Sequence, residues 1–196
     1  MNKRILRLAL PNVVSNLTVP LLGAVDAMLM GHQPDAKHFL AGVAIATAIF
    51  NAVYWGFGFL RMGTTGMTAQ AFGAEDHRES LRILARGLVV ALTASVFILA
   101  LHVPLEHLGM SLMEGGPDAK AIGRSYYYVR IWAAPATLSL YVFYGWFFGR
   151  QDSFTPMFLS ILINVANIGL NLLFVYGFGM QEKGIALATL IAQYLG

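Results

Sequence analysis

No cysteine occurs anywhere in the 196 residues, so disulfide scaffolds and thiolate metal sites are excluded. Charge is scarce as well. Asp, Glu, Lys and Arg together make up 12% of the chain, about half of the roughly 25% usual in soluble domains. The five histidines are scattered singly with no HExxH-like spacing, and nothing pairs a nucleophile with a base. Metal ligands, catalytic residues and cofactors are therefore not expected, and neither is enzyme activity. The formal net charge of +3 is spread over separate loops and forms no basic patch, which argues against a nucleic-acid partner.

What the chain has in excess is apolar residues, at 57% against roughly 45–50% in soluble proteins. They fall in long blocks with short polar punctuation, the pattern of an all-α, polytopic membrane helix bundle whose first partner is the lipid bilayer. The expected spans are residues 5–31, 39–72, 83–103, 122–149 and 154–178, followed by an apolar stretch over 184–196. That last stretch covers about 20 Å at 1.5 Å per residue, short of the roughly 30 Å hydrocarbon core. It reads as a sixth span that is truncated, or as a re-entrant or interfacial helix. The first span is too long, and with Asn12, Asn16 and Asp26 too polar, for the core of a signal peptide.

Lys and Arg are unequally shared between alternate loops. Lys3, Arg4, Arg7, Arg78, Arg82, Arg86 and Arg150 lie on one side, and Lys37, Lys120, Arg124 and Lys183 on the other. The bias places the N-terminus in the cytoplasm of a multi-pass protein of the cell membrane. Asp26 then sits near the outer end of span one, Asn167 and Asn171 in the outer half of span five, and Thr189 enters from outside on span six. Asn164, Asn167 and Asn171 share one helical stripe by their i, i+3, i+7 spacing. Such amides serve either as interhelical hydrogen-bonding partners or as part of a cavity.

Asp26 is the only carboxylate well inside an apolar span, and an acid at that depth is functional unless a permanent partner neutralises it. Arg130, at similar depth on span four, either supplies that ion pair or snorkels to the outer interface. Arg61 reads as an interfacial anchor at the cytoplasmic end of span two. Pro11 and Pro20 each remove a backbone hydrogen bond from span one, and so either bend it or make it movable. Gly56, Gly58, Gly63, Gly66 and Gly73 are expected to let span two pack closely, and span three reads as lipid-facing scaffold.

Four stretches carry a family resemblance: LALPNVVSNLTVPLLGAVDAMLMGH over 8–32, FLRMGTTGMTAQAFGA over 59–74, GWFFGRQDSFTP over 145–156, and NVANIGLNLLFVYG with GIALATLIAQY over 164–194. In collinear order they resemble the multidrug and toxic compound extrusion (MATE) transporters, most of all the DNA-damage-inducible F branch. The resemblance implies a twelve-helix antiporter of two six-helix lobes, which exports cationic or amphipathic compounds in exchange for H⁺ or Na⁺. This chain would be its N-terminal lobe, with small-molecule substrates and a missing C-terminal lobe as partners. The resemblance also matches Asp26, Asn167 and Thr189 to the family's coupling site and Pro11 to its span-one bend. Asn171 stands where many relatives carry aspartate, which favours H⁺ over Na⁺. A lipid-linked oligosaccharide flippase of the same superfamily and a non-transporting assembly subunit are the alternatives.

Overall fold

The computed structural model describes Gly31 and residues 36–196. Pro11, Pro20 and Asp26 lie outside the described residues. The rest is helical, with no strand among the described residues: α1 (Ala36–Trp55), α2 (Gly58–Gly73), α3 (His77–Ala100), α4 (His102–Leu112), α5 (Pro117–Arg130), α6 (Ala134–Gly149), α7 (Phe154–Leu172) and α8 (Glu182–Leu195). Among the described residues, four stretches are long and apolar enough to cross a membrane: Ala36–Gly73, His77–Ala100, Pro117–Gly149 and Phe154–Gly177. The expected all-α membrane bundle is the fold found.

Each break within these stretches has a local cause. Between α1 and α2 the chain turns at Gly56 and Phe57, where the Phe57 amide reaches back to the Tyr54 carbonyl at 3.0 Å. Pro104 has no N–H to give the ladder, and the chain bends at Leu101 between α3 and α4. Pro135 does the same for α5 and α6: the residues before it, Ile131–Ala133, tighten into a 3₁₀ turn and Pro135 sits in the first turn of α6. Beyond α7, Leu173–Gly177 widens into a π-helical turn, a form that recurs at functional sites. The helix of span three begins at His77, earlier than the apolar run that starts near residue 83. Its N-cap is Asp76, whose carboxylate accepts from the Glu79 amide at 2.9 Å.

Packing between helices depends on small residues, as expected where lipid removes most of the hydrophobic drive. The glycines that matter are not those expected on span two. A Cβ at Gly58, Gly63, Gly66 or Gly73 would meet nothing within 4 Å, and one at Gly56 only the Val53 carbonyl of its own turn. The close approach comes from the facing helix instead. A Cβ at Gly145 would lie 2.5 Å from the Arg61 carbonyl, and one at Gly149 would lie 2.6 Å from Thr68 Cβ. Gly145 and Gly149 form a GxxxG pair on α6 that receives Thr64 and Thr68 of α2. Gly42 of α1 and Gly123 of α5 meet in the same way, with a Cβ at Gly123 only 2.9 Å from the Gly42 carbonyl.

Around these contacts the core closes on Phe50, Tyr127, Ile131, Leu138 and Val142, with the Phe50 and Tyr127 rings stacked at 5.1 Å. α3 turns Val89, Val96 and Phe97 outward, which suits the lipid-facing scaffold expected of span three.

Candidate functional site

Beyond Ser160, α7 is apolar except for its asparagine stripe, and α8 packs beside it with Ala188 and Ala192 both fully buried. The close approach of these helices lets three polar side chains join. Asn171 Nδ2 donates to Asn167 Oδ1 at 2.8 Å, Asn167 Nδ2 donates to Thr189 Oγ1 at 3.0 Å, and Thr189 Oγ1 donates to the Ile185 carbonyl at 3.0 Å. Asn167 and Asn171 are 1% and 0% exposed, so the hydrogen bonds compensate for amides that would otherwise be stranded in an apolar interior. The structure thus brings together Asn167, Asn171 and Thr189. Asp26 and the two prolines of span one fall outside the described residues.

A cavity of about 260 Å³ opens beside this polar chain. Thr189, Asn164 and Ser160 form part of its wall, and Arg130 and Thr137 another part. Asn164, the third member of the stripe, has its side-chain nitrogen enclosed with no hydrogen-bond acceptor among the described residues. It stands a turn from the Asn167 chain and does not share in it.

Arg130, for which the sequence leaves an ion pair or snorkelling open, has neutral partners among the described residues. Its Nη1 donates to Tyr126 Oη at 2.9 Å and to Thr47 Oγ1 at 3.3 Å, and its guanidinium lies 4.9 Å from the centre of the Phe50 ring. Neutral hydroxyls and aromatic faces hold it at the cavity wall, a stable arrangement for a planar, weakly hydrated cation. Arg61 sits near the break between α1 and α2, in a separate recess that it shares with Tyr54, Trp55 and Tyr141.

One buried carboxylate went unrecognised in the sequence. Glu106 on α4 is 1% exposed; it accepts from Arg124 Nε at 2.7 Å, and Tyr128 Oη lies 3.4 Å away. The signal was present: Pro104 interrupts the apolar run, and α4 carries an acid two residues beyond it, four residues beyond His102. Reading residues 83–103 as a single span left Glu106 in a loop. Among the described residues no group of three His, Asp or Glu side chains is placed to hold a metal ion.

Residues 11–173 match the MatE family model. The chain belongs to the MatE family. It is 38% identical over 193 residues to the DNA damage-inducible protein F of Escherichia coli, a match covering 98% of this chain and 42% of that protein. It is 28% identical over 201 residues to the probable multidrug resistance protein NorM of Thermotoga maritima, covering 99% and 42%. Among solved structures, a MOP superfamily transporter from Pyrococcus furiosus superposes with a TM-score of 0.87 at 25% identity, covering 98% of this chain and 42% of that one. This MatE chain therefore spans less than half the length of the relatives it matches, and its family's transporters are membrane proteins.

Proposed function

We propose that this chain is the N-terminal lobe of a secondary antiporter that exports amphipathic compounds in exchange for H⁺, with Asp26 as the coupling residue. The observation that carries the reading is the hydrogen-bonded chain Asn171–Asn167–Thr189, buried in an apolar bundle beside a polar cavity. Amides and a hydroxyl at that depth serve either interhelical hydrogen bonding or a pathway, and their place beside a polar cavity supports the second. Relatives point the same way: a probable multidrug resistance protein in Thermotoga maritima and multidrug and toxin extrusion protein 1 in Oryctolagus cuniculus.

In this reading Asp26 of span one faces the amides and hydroxyl of α7 and α8. Protonation removes its charge, and the change alters how span one, weakened at Pro11 and Pro20, packs against its neighbours. An ion that binds one arrangement better than the other shifts the equilibrium between them. Asn171, neutral where an acid would add a second charge, favours H⁺ over Na⁺ as the coupling ion. Substrate sites of repeat-built transporters lie at the interface of their halves, so a C-terminal lobe is the partner on which transport depends.

The test is reconstitution. With both lobes in proteoliposomes, a fluorescent amphipathic substrate should move against an imposed pH gradient, and the 196-residue lobe alone should move none. Equal transport by the lobe alone, or no dependence on the gradient with both lobes, would refute the proposal.

A further inference from the structure

α2 and α3 form a hairpin whose turn lies at the end of the bundle that the charge bias assigns to the cytoplasm. A groove of about 190 Å³ lies between the two helices. Its floor is buried and apolar at Leu60 and Ile83, and its walls are the exposed side chains of Phe59, Met67 and Val90. Two glycines shape it. Gly87 lets α3 close on its neighbours, since a Cβ there would lie 2.7 Å from Val142 Cγ1 and 3.5 Å from Thr64 Oγ1, whereas a Cβ at Gly63 would meet nothing within 4 Å. At 1.5 Å per residue the groove lies about 10–20 Å from the helix ends at Gly73 and His77, the depth of the acyl chains in one leaflet. Its lower mouth carries charge. Arg86 lines it, and Arg82 lies one turn nearer the helix start. The two guanidiniums share one carboxylate: Arg82 Nη1 is 3.4 Å from Glu79 Oε2 and Arg86 Nη1 is 3.1 Å from Glu79 Oε1. One positive charge is left over within this trio. Of the other acids nearby, Glu75 lies in the turn and Asp76 faces the helix N-terminus that it caps. Both arginine side chains are mostly exposed, so Glu79 holds them weakly, and each guanidinium keeps further donors for an anion.

We propose that this groove is a binding site for an anionic phospholipid, with one acyl chain lying between Phe59 and Val90 and the phosphate held by Arg82 and Arg86. The guanidinium fork fits paired phosphate oxygens, and basic side chains at this level of a membrane attract anionic head groups. A zwitterionic lipid offers the same chain, but its ammonium meets the surplus positive charge. The site does not depend on what the protein transports.

The probes are phosphatidylglycerol and phosphatidylcholine with identical acyl chains, titrated onto the intact protein, both lobes included, in detergent. Native mass spectrometry gives the dissociation constant of the first lipid bound. Phosphatidylglycerol should bind at least about five-fold more tightly. Arg82→Gln combined with Arg86→Gln should erase that preference, whereas Arg78→Gln, in the same charge cluster but outside the groove, should keep most of it. Gly63→Leu fills the groove at a point where a Cβ meets nothing, so it should fold and weaken both lipids about three-fold or more; it also supplies an independent readout should the double arginine variant not fold. Equal binding of the two lipids by the wild type would overturn the proposal. So would an equal loss from Arg78→Gln, which would show attraction by the whole charged turn and no site. Unchanged lipid binding by Gly63→Leu would overturn it as well, because the groove would then be covered by span one or by the C-terminal lobe and the lipid would sit elsewhere.

Discussion

Asn167 of α7 donates its side-chain amide to the hydroxyl of Thr189 on α8 at 3.0 Å, and the Thr189 hydroxyl in turn donates to the Ile185 carbonyl at 3.0 Å. The order of donors matters. Thr189 stays satisfied within its own helix whatever happens to Asn167, whereas Asn167 also accepts from Asn171 at 2.8 Å and so holds two partners. Asn167→Ala should therefore destabilise the folded protein by about 1–2 kcal/mol, and Thr189→Val by less, on the order of 0.5 kcal/mol. Thermal unfolding in detergent checks the ranking. A larger loss from Thr189→Val would reverse the assigned donor order.

The glycines of α6 provide a second test. Gly149→Ala places a Cβ 2.6 Å from Thr68 Cβ and 2.8 Å from the Thr65 carbonyl, and the latter is backbone that cannot step aside. We expect a loss of about 1–3 kcal/mol. Gly66→Ala meets nothing within 4 Å and should be neutral, or stabilising by up to about 1 kcal/mol through helix propensity. Folded yield and unfolding temperature of the two variants in the intact protein decide the point.

How much of this was legible beforehand differs from residue to residue. The three asparagines could be placed on one stripe because helical spacing is a local property, and Thr189 could be brought near them because depth follows from span order. Which glycines pack was not legible, because that depends on the facing helix: α2 has the richer glycine content, yet the approach is made at Gly145 and Gly149 of α6. Arg130 has partners that were illegible for the same reason. Its position is set by Thr47 and Phe50, some eighty residues away in sequence, and nothing near Arg130 announces them. Glu106 was missed because the bend at Leu101 was not seen, and an acid assigned to a loop needs no partner.

Glu106 and Arg124 should respond unequally to substitution. Glu106 is 1% exposed while the Arg124 side chain is 51% exposed, so removing the arginine strands a buried carboxylate and removing the acid leaves a cation that water can reach. Arg124→Met should cost about 2 kcal/mol and Glu106→Gln about half as much. Unfolding of the two single variants and the double variant measures the coupling between them. Equal losses would mean that the buried acid is held by some other group.

Topology follows from the charge bias and is open to labelling, since the chain has no cysteine of its own. A cysteine at Gln33 should react with an impermeant thiol reagent added outside intact cells, and one at Arg78, an exposed position next to the Asp76 cap, should not. Ser80 would be a poor choice there, because it is buried and Trp146 Nε1 donates to its hydroxyl at 3.1 Å. The reverse labelling pattern would place the N-terminus outside.

The coupling role of Asp26 is the centre of the account. Asp26→Asn keeps the shape of the protonated side chain and fixes its charge at zero, so the two protonation states that drive the exchange are no longer distinct. In proteoliposomes holding both lobes, the measurement is substrate efflux as a function of an imposed pH gradient, for wild type and Asp26→Asn reconstituted at equal density. The account predicts that the variant inserts, folds and binds substrate, yet shows gradient-driven efflux reduced at least about a hundred-fold, the equivalent of losing roughly 3 kcal/mol of coupling. Efflux by Asp26→Asn at the wild-type rate and with the wild-type pH dependence would contradict it.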